Sequence, residues 1–182
     1  MVVEVEAKIV LPSCSVFEDV VDGLRRIGGR LVYDCVEEDY YLVHPCRDFA
    51  SSDEALRVRC SCGRWELTYK GPRSVVGGVK SRVEVSVGVS DGSRLLDVLG
   101  RLGFRVFCVV RKHRRCFEAG CVRVFLDRVE GLGCFVEVEC VGGCGDSVEC
   151  VRRVVRVLGL EGYESTSKSY LEMVWEAGLC RG

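Results

Sequence analysis

The sequence predicts an α+β fold in which an antiparallel β-sheet closes into a barrel with a charged, wet interior and helices packed outside. Three observations over the 182 residues carry that prediction: segments that alternate charged and apolar residues at strand period, segments of helical period with one apolar face, and a recurring strand, helix, strand unit.

The alternation begins at the first residues. In 1–10, Glu4, Glu6 and Lys8 share one face of a strand, and Val3, Val5, Ala7 and Ile9 share the other. The design returns where Arg57 and Arg59 alternate with Leu56 and Val58, and where Arg82, Glu84 and Ser86 alternate with Val83, Val85 and Val87. It returns again at Arg123 and Asp127 against Val122, Val124 and Leu126, and at Glu137 and Glu139 against Val136 and Val138. Were these charged faces all to meet solvent, the sheet would be one-sided with regular charges of both signs. Closure instead turns the charges into a lumen and the valines outward. Amphipathic helices in the same chain supply a cover for that apolar wall, which favours closure.

The first helix is expected over 16–29, where Val16, Phe17, Val20, Val21, Leu24 and Ile27 fall at helical spacing before Gly28-Gly29, with Ser13 or Ser15 as its cap. A strand follows from Arg30 to Val43. The plan repeats as a helix over 91–103 with a strand over 104–117, and as a helix over 146–159 with a strand over 163–171. Aligning Gly28, Gly103 and Gly159 superposes Glu37, Lys112 and Lys168. Between the first two units, strands near 54–60 and 64–70 form a hairpin turned by Ser61-Cys62-Gly63, residues 71–80 read as a turn and loop, and 172–182 read as a helical tail.

Composition excludes several function classes. A net charge of -1 gives no basic field for nucleic acid or a membrane surface, and no apolar run has membrane-spanning length. Charge at position 4 and the absence of a basic lead point to a cytoplasmic chain. The 13 cysteines contain no CxxC pair, and His44 and His113 are the only histidines, so structural zinc is not indicated. Disulfides are not expected in a cytosolic chain, unless its source lives hot, and the cysteines read as small buried hydrophobes. Of 26 basic residues only five are lysine, Lys8, Lys70, Lys80, Lys112 and Lys168, so the places where a compact ammonium is kept draw interest.

Glu4-Val-Glu6-Ala-Lys8 resembles the ExExK signature of the CYTH superfamily, the triphosphate tunnel metalloenzymes. The order of further motifs makes the likeness specific: Asp39-Tyr-Tyr41, Arg57-Val-Arg59, Leu67-Thr-Tyr-Lys70, Arg82-Val-Glu84, Lys112-His-Arg114, Asp127 ahead of Glu130-Gly-Leu-Gly133, Glu137-Val-Glu139 and Lys168-Ser-Tyr170. The segment from His44 to Arg57 most resembles members labelled class IV adenylyl cyclase. Well-studied bacterial class IV cyclases carry a His-Phe pair ahead of the ExExK strand, and here three residues precede Glu4. The resemblance implies one domain over 1–182, an eight-stranded antiparallel barrel, and a tunnel that binds a triphosphate with Mg2+ or Mn2+.

On that reading Glu4, Glu6, Glu137 and Glu139 are the metal ligands, with Asp127 helping a second ion. Arg57, Arg59, Arg82 and Arg114 grip phosphate oxygens, and Lys8, Lys70, Lys112 and Lys168 add point charge. Arg82 and Glu84 also admit a purely structural reading as an ion pair. Glu4, Glu6, Lys8 and Tyr41 are the catalytic candidates. The expected reaction is that of a class IV adenylyl cyclase, ATP to cyclic AMP and pyrophosphate. The alternative is an inorganic, thiamine or other organic triphosphatase, and behind both stands a polyphosphate-binding module. The expected partner is a nucleoside triphosphate or another triphosphate, with neither nucleic acid nor membrane; the apolar outer surface admits a homodimer.

Overall fold

The computed structural model describes residues 2–76, 79–143 and 145–180, with side chains described from Val5 onward except at 75–81. In chain order the elements are β1 (Val2–Leu11), α1 (Val16–Arg26), β2 (Arg30–Val43), β3 (Ala55–Ser61), β4 (Arg64–Val76), β5 (Val79–Val89) and α2 (Gly92–Arg101). They continue with β6 (Arg105–Ala119), β7 (Val122–Val129), β8 (Gly133–Cys140), α3 (Ser147–Val157), β9 (Ser165–Thr166) and α4 (Tyr170–Glu176).

Opposite charges meet across the strands of the sheet. The strands lie in the order β5-β4-β3-β2-β6-β7-β8-β1, and β1 also pairs with β5, so the row joins end to end as a ring. Facing residues on the inner side carry opposite charge: Lys8 opposite Glu137, Asp39 opposite Arg59, Glu37 opposite Lys112, Lys70 opposite Glu84 and Arg114 opposite Asp127. Such pairs each favour the observed pairing modestly, and a one-residue slip would carry every one of them to the apolar side.

The outer wall is apolar. Ile9, Leu11, Val122, Val124, Val136 and Val138 pack under Phe17, Val20, Val21 and Leu24 of α1 and Val151 and Val154 of α3. Each large side chain buried there contributes about 1.5–3 kcal/mol. A separate cluster seats Leu99 of α2, with Leu95 and Leu96, on Leu42 and Val58. α2 begins on Asp91, whose carboxylate accepts from the Arg94 amide, as an N-cap should. Gly92 follows because the helix start lies against Trp65, where an added Cβ would meet the ring at 2.0 Å. α1 starts after Ser15, but the Ser15 side chain makes no capping bond.

Three expectations are corrected. The strand expected over 163–171 is only Ser165–Thr166, paired with Lys8 and Ile9 of β1, because Ser169 and Glu172 form a capping box that starts α4 at Tyr170. The turn and loop expected over 71–80 is largely strand, since β4 runs to Val76 and β5 resumes at Val79; residues 77 and 78 lie outside those described. The cysteines, read as buried thiols, form disulfides, and those with both partners among the described residues are Cys14–Cys134, Cys35–Cys62 and Cys108–Cys180. Their sequence separations are 120, 27 and 72 residues, so chain spacing held no trace of pairs that only strand packing brings within bonding range. Cys116 and Cys140 are buried thiols, as expected.

Candidate functional site

Inside the ring lies a cavity of ≈ 990 Å³. It runs from an exposed rim that includes Val32, Cys62, Arg64 and Gly88 to Tyr170 and Leu171 of α4. The inward residues of every barrel strand contribute to it, because period-2 alternation sends one side of each strand to the lumen.

At the centre Lys112 is fully buried, with its ammonium 3.0 Å from Glu37 and 2.9 Å from Asp39. Arg59 forks onto Asp39, donating from Nε at 2.5 Å and Nη2 at 2.8 Å. Glu37 also accepts from the Tyr33 hydroxyl at 3.1 Å and the Ser61 hydroxyl at 2.7 Å. Burial alone would raise the Asp39 carboxyl, yet Arg59, Lys112 and Arg57 outweigh it and hold the group well below the usual carboxylate range. Glu37 is held low in the same way, by Arg59, Arg114 and Lys112 against its own burial. Burial, aided by Arg59, pushes the Lys112 ammonium down. Arg57 donates to Thr68 at 3.3 Å. Its Nε is buried with no hydrogen-bond acceptor among the described residues, 3.9 Å from Asp39.

A second group adjoins the first. Arg114 donates from Nε to Asp127 at 2.6 Å, and its Nη2 reaches both Asp127 and Glu137. Burial works against the Arg114 charge, and Asp127 and Glu137 override it. Lys8 lies 3.0 Å from Glu137. Lys70 pairs with Glu84. Tyr41 is buried toward the α4 end, where burial, and then Asp39, pushes its hydroxyl up to about 12.

The expected site residues thus converge, with differences. Glu6, Lys8, Tyr41, Arg57, Arg59, Lys70, Arg82, Arg114, Glu137 and Glu139 line the cavity; Lys112 and Asp127 stand just behind that surface, buried on its charged partners. The Glu4 side chain lies outside the described residues. Asp127 is committed to Arg114 and to the Tyr170 hydroxyl. Arg82 donates to the Gly71 and Asp53 carbonyls at 2.8 and 3.0 Å, so it braces the wall through backbone oxygens. Lys168 points outward: its side chain is 51% exposed and its ammonium lies 2.6 Å from Glu176. The aligned repeat had superposed Lys168 on Lys112, but the early start of α4 ends the third strand before Lys168 can turn inward.

The residues offer hard oxygen donors of the kind Mg2+ and Mn2+ accept. Glu6 and Glu139 face each other across β1 and β8, with Glu137 two residues along. Among the described residues no three His, Cys, Asp or Glu side chains are gathered as a ready cage. The donor chemistry fits a cation that keeps several waters.

Residues 3–170 match the family model described as CYTH domain. This chain belongs to the CYTH family. The "Putative adenylate cyclase MJ0240" of Methanocaldococcus jannaschii is 30% identical to this CYTH chain over 175 residues, covering 94% of it and 98% of the relative. The solved PH1819 protein of Pyrococcus horikoshii matches at 34% identity with a TM-score of 0.77, covering 95% of this chain and 98% of that one. A Hippeastrum protein, described in its structure as having a dominant triphosphatase activity, shares the CYTH barrel at 19% identity, TM-score 0.71, over 98% of this chain and 96% of its own. No helix among the described residues is long and apolar enough to cross a membrane.

Sequence reasoning missed Glu37 and Asp39 as the anions around which the cations gather, although their alternation with Tyr41 on β2 was legible. It also missed how α4 is held. Arg73 forks onto Glu172 at 2.7 and 2.6 Å and reaches Asp53 at 2.9 Å. Burial would raise the Glu172 carboxyl, yet Arg73 and Ser169 hold it down at about 2, against 4.5 when free. A depressed carboxyl stabilises the fold above its unfolded pKa and loses that contribution as pH falls through the folded value. Protection of the α4 amides, taken relative to their intrinsic exchange rates, is therefore expected to fall between pH 4.5 and about 2. Glu172→Gln should already exchange fast at pH 7 and lose that acid step; an identical pH profile in the variant would exclude Glu172 as the latch.

Proposed function

We propose that this protein is a metal-dependent enzyme that acts on a triphosphate inside its barrel, with adenylyl cyclase chemistry as the reaction. The observation that carries the reading is the convergence of Arg57, Arg59, Arg114 and Lys8 on one cavity, with Lys112 buried just behind its wall and the buried Arg57 Nε making no hydrogen bond among the described residues. A polyanion with oxygens on several phosphorus atoms is the ligand such a wall suits, and arginine forks select it over single-point anions. A volume of ≈ 990 Å³ suits a whole nucleotide better than a bare anion. The name of the 30% identical relative supports the same choice.

Glu6, Glu137 and Glu139 would hold Mg2+ or Mn2+, which when bound neutralises phosphate charge and polarises phosphoryl oxygens. The protein's own groups then set the register. Arg57 and Arg59 fix the phosphate chain at one side, Lys8 and Arg114 at the other, and Asp39 and Glu37 keep the guanidiniums aimed between encounters. With ATP in place, the ribose 3′-hydroxyl attacks the α-phosphorus and gives up its proton to solvent, the new O–P bond forms, and the bond to pyrophosphate breaks. In hydrolysis of a triphosphate the same cage would present the terminal phosphorus to water.

Purified protein incubated with Mg2+ or Mn2+ and ATP is expected to yield cyclic AMP and pyrophosphate. Orthophosphate released from ATP or tripolyphosphate, without cyclic product, would replace the cyclase by a triphosphatase. Binding without turnover would leave a polyphosphate-binding module.

A further inference from the structure

Tyr170 opens α4, yet its side chain is buried in the barrel among Tyr41, Val110, Val129 and Phe135. The Tyr170 ring meets Phe135 edge-on with centroids 5.2 Å apart. Its hydroxyl donates to Asp127 at 2.7 Å. Asp127 takes the fork of Arg114, Arg114 reaches Glu137, and Glu137 lies 3.0 Å from Lys8. The Lys8 ammonium sits 4.2 Å from the centroid of the Tyr170 ring, and it donates at 3.1 Å to the carbonyl of Lys168, two residues earlier. These contacts close on themselves. Among the side chains in this loop Tyr170 is the member that comes from outside the barrel strands, carried by a helix fastened through Arg73–Glu172 and Cys108–Cys180.

We infer that Tyr170 is a positioning residue, through which the docked C-terminal helix fixes where Arg114 and Lys8 present their charge to the ligand. The inference rests on the triphosphate reading of the cavity. The hydroxyl restrains Asp127 against turning, and through its two-point contact Asp127 restrains the Arg114 guanidinium. The ring holds the Lys8 ammonium by attraction to its face. Without the hydroxyl, Asp127 and Arg114 gain a shared freedom that ligand binding must remove. Tyr170 therefore affects affinity without touching the ligand.

The test is calorimetric titration of the full chain with inorganic tripolyphosphate in metal-free buffer, with each variant first verified as folded by circular dichroism. Tyr170→Phe keeps the ring and is expected to bind about tenfold more weakly than the natural protein, within the range of coupling seen in buried networks. Asp127→Asn should bind weakly as well. The double variant should bind no more weakly than Asp127→Asn alone, since both changes break the same link. Affinity of the Tyr170→Phe variant within twofold of the natural protein, or losses that multiply in the double variant, would overturn the inference. Should Tyr170→Phe not fold, Glu172→Gln loosens α4 from outside the cavity and is expected to weaken tripolyphosphate binding; unchanged affinity there would overturn the inference equally. If the natural protein binds tripolyphosphate neither in metal-free buffer nor with Mg2+ added, the triphosphate reading falls, and this inference with it.

Discussion

Lys112→Met is expected to destabilise the protein by about 3–5 kcal/mol, the cost of removing one partner from a buried ion cluster. Lys112 has no exposure of its side chain and stands between Glu37 and Asp39, which are themselves 1% exposed. Methionine fills a similar volume but leaves two carboxylates facing each other in low dielectric. Arg59 and Arg114 compensate in part, since Arg59 already binds Asp39 and Arg114 stands 3.7 Å from Glu37. Urea unfolding followed by circular dichroism measures the loss, read as a shift of the midpoint at constant slope. Equal or higher stability would mean that the cluster is strained in the absence of ligand and that Lys112 is held there for binding alone.

Arg114→Lys is expected to lower turnover of a triphosphate by about 100-fold or more, the scale seen when a preorganised charge donor is withdrawn from a reacting oxyanion. The change keeps the charge and loses the fork. Arg114 spans Asp127 and Glu137 at once, and a lysine ammonium reaches only one of them. Steady-state kinetics should show the loss mostly in kcat if the fork aligns the reacting phosphorus, and mostly in KM if it only holds substrate. Natural rates with lysine at this position would remove Arg114 from the site.

Tyr170 and Lys168 mark where reading from the chain stopped. Both lie in one motif, but only Tyr170 enters the barrel, and the difference turns on a capping box that starts a helix where the repeat called for a strand. Glu37 and Asp39 lie two residues apart on β2 and so share a face, yet their place as shared anions needed β3 and β6 beside them. The Cys108–Cys180 bond joins a strand to the segment beyond the last helix and has no local signature.

What the sequence determined by itself was direction. A strand alternates its side chains because of bonds between neighbouring residues, so the charged and valine faces, the amphipathic helices and the antiparallel plan were present in the order of residues. Tertiary structure decided company: which charge faces which, which cysteines meet, and that the C-terminal helix carries Tyr170 into the cavity wall. Those outcomes depend on contacts between segments far apart in the chain, and such contacts exist only once the whole sheet has chosen its register.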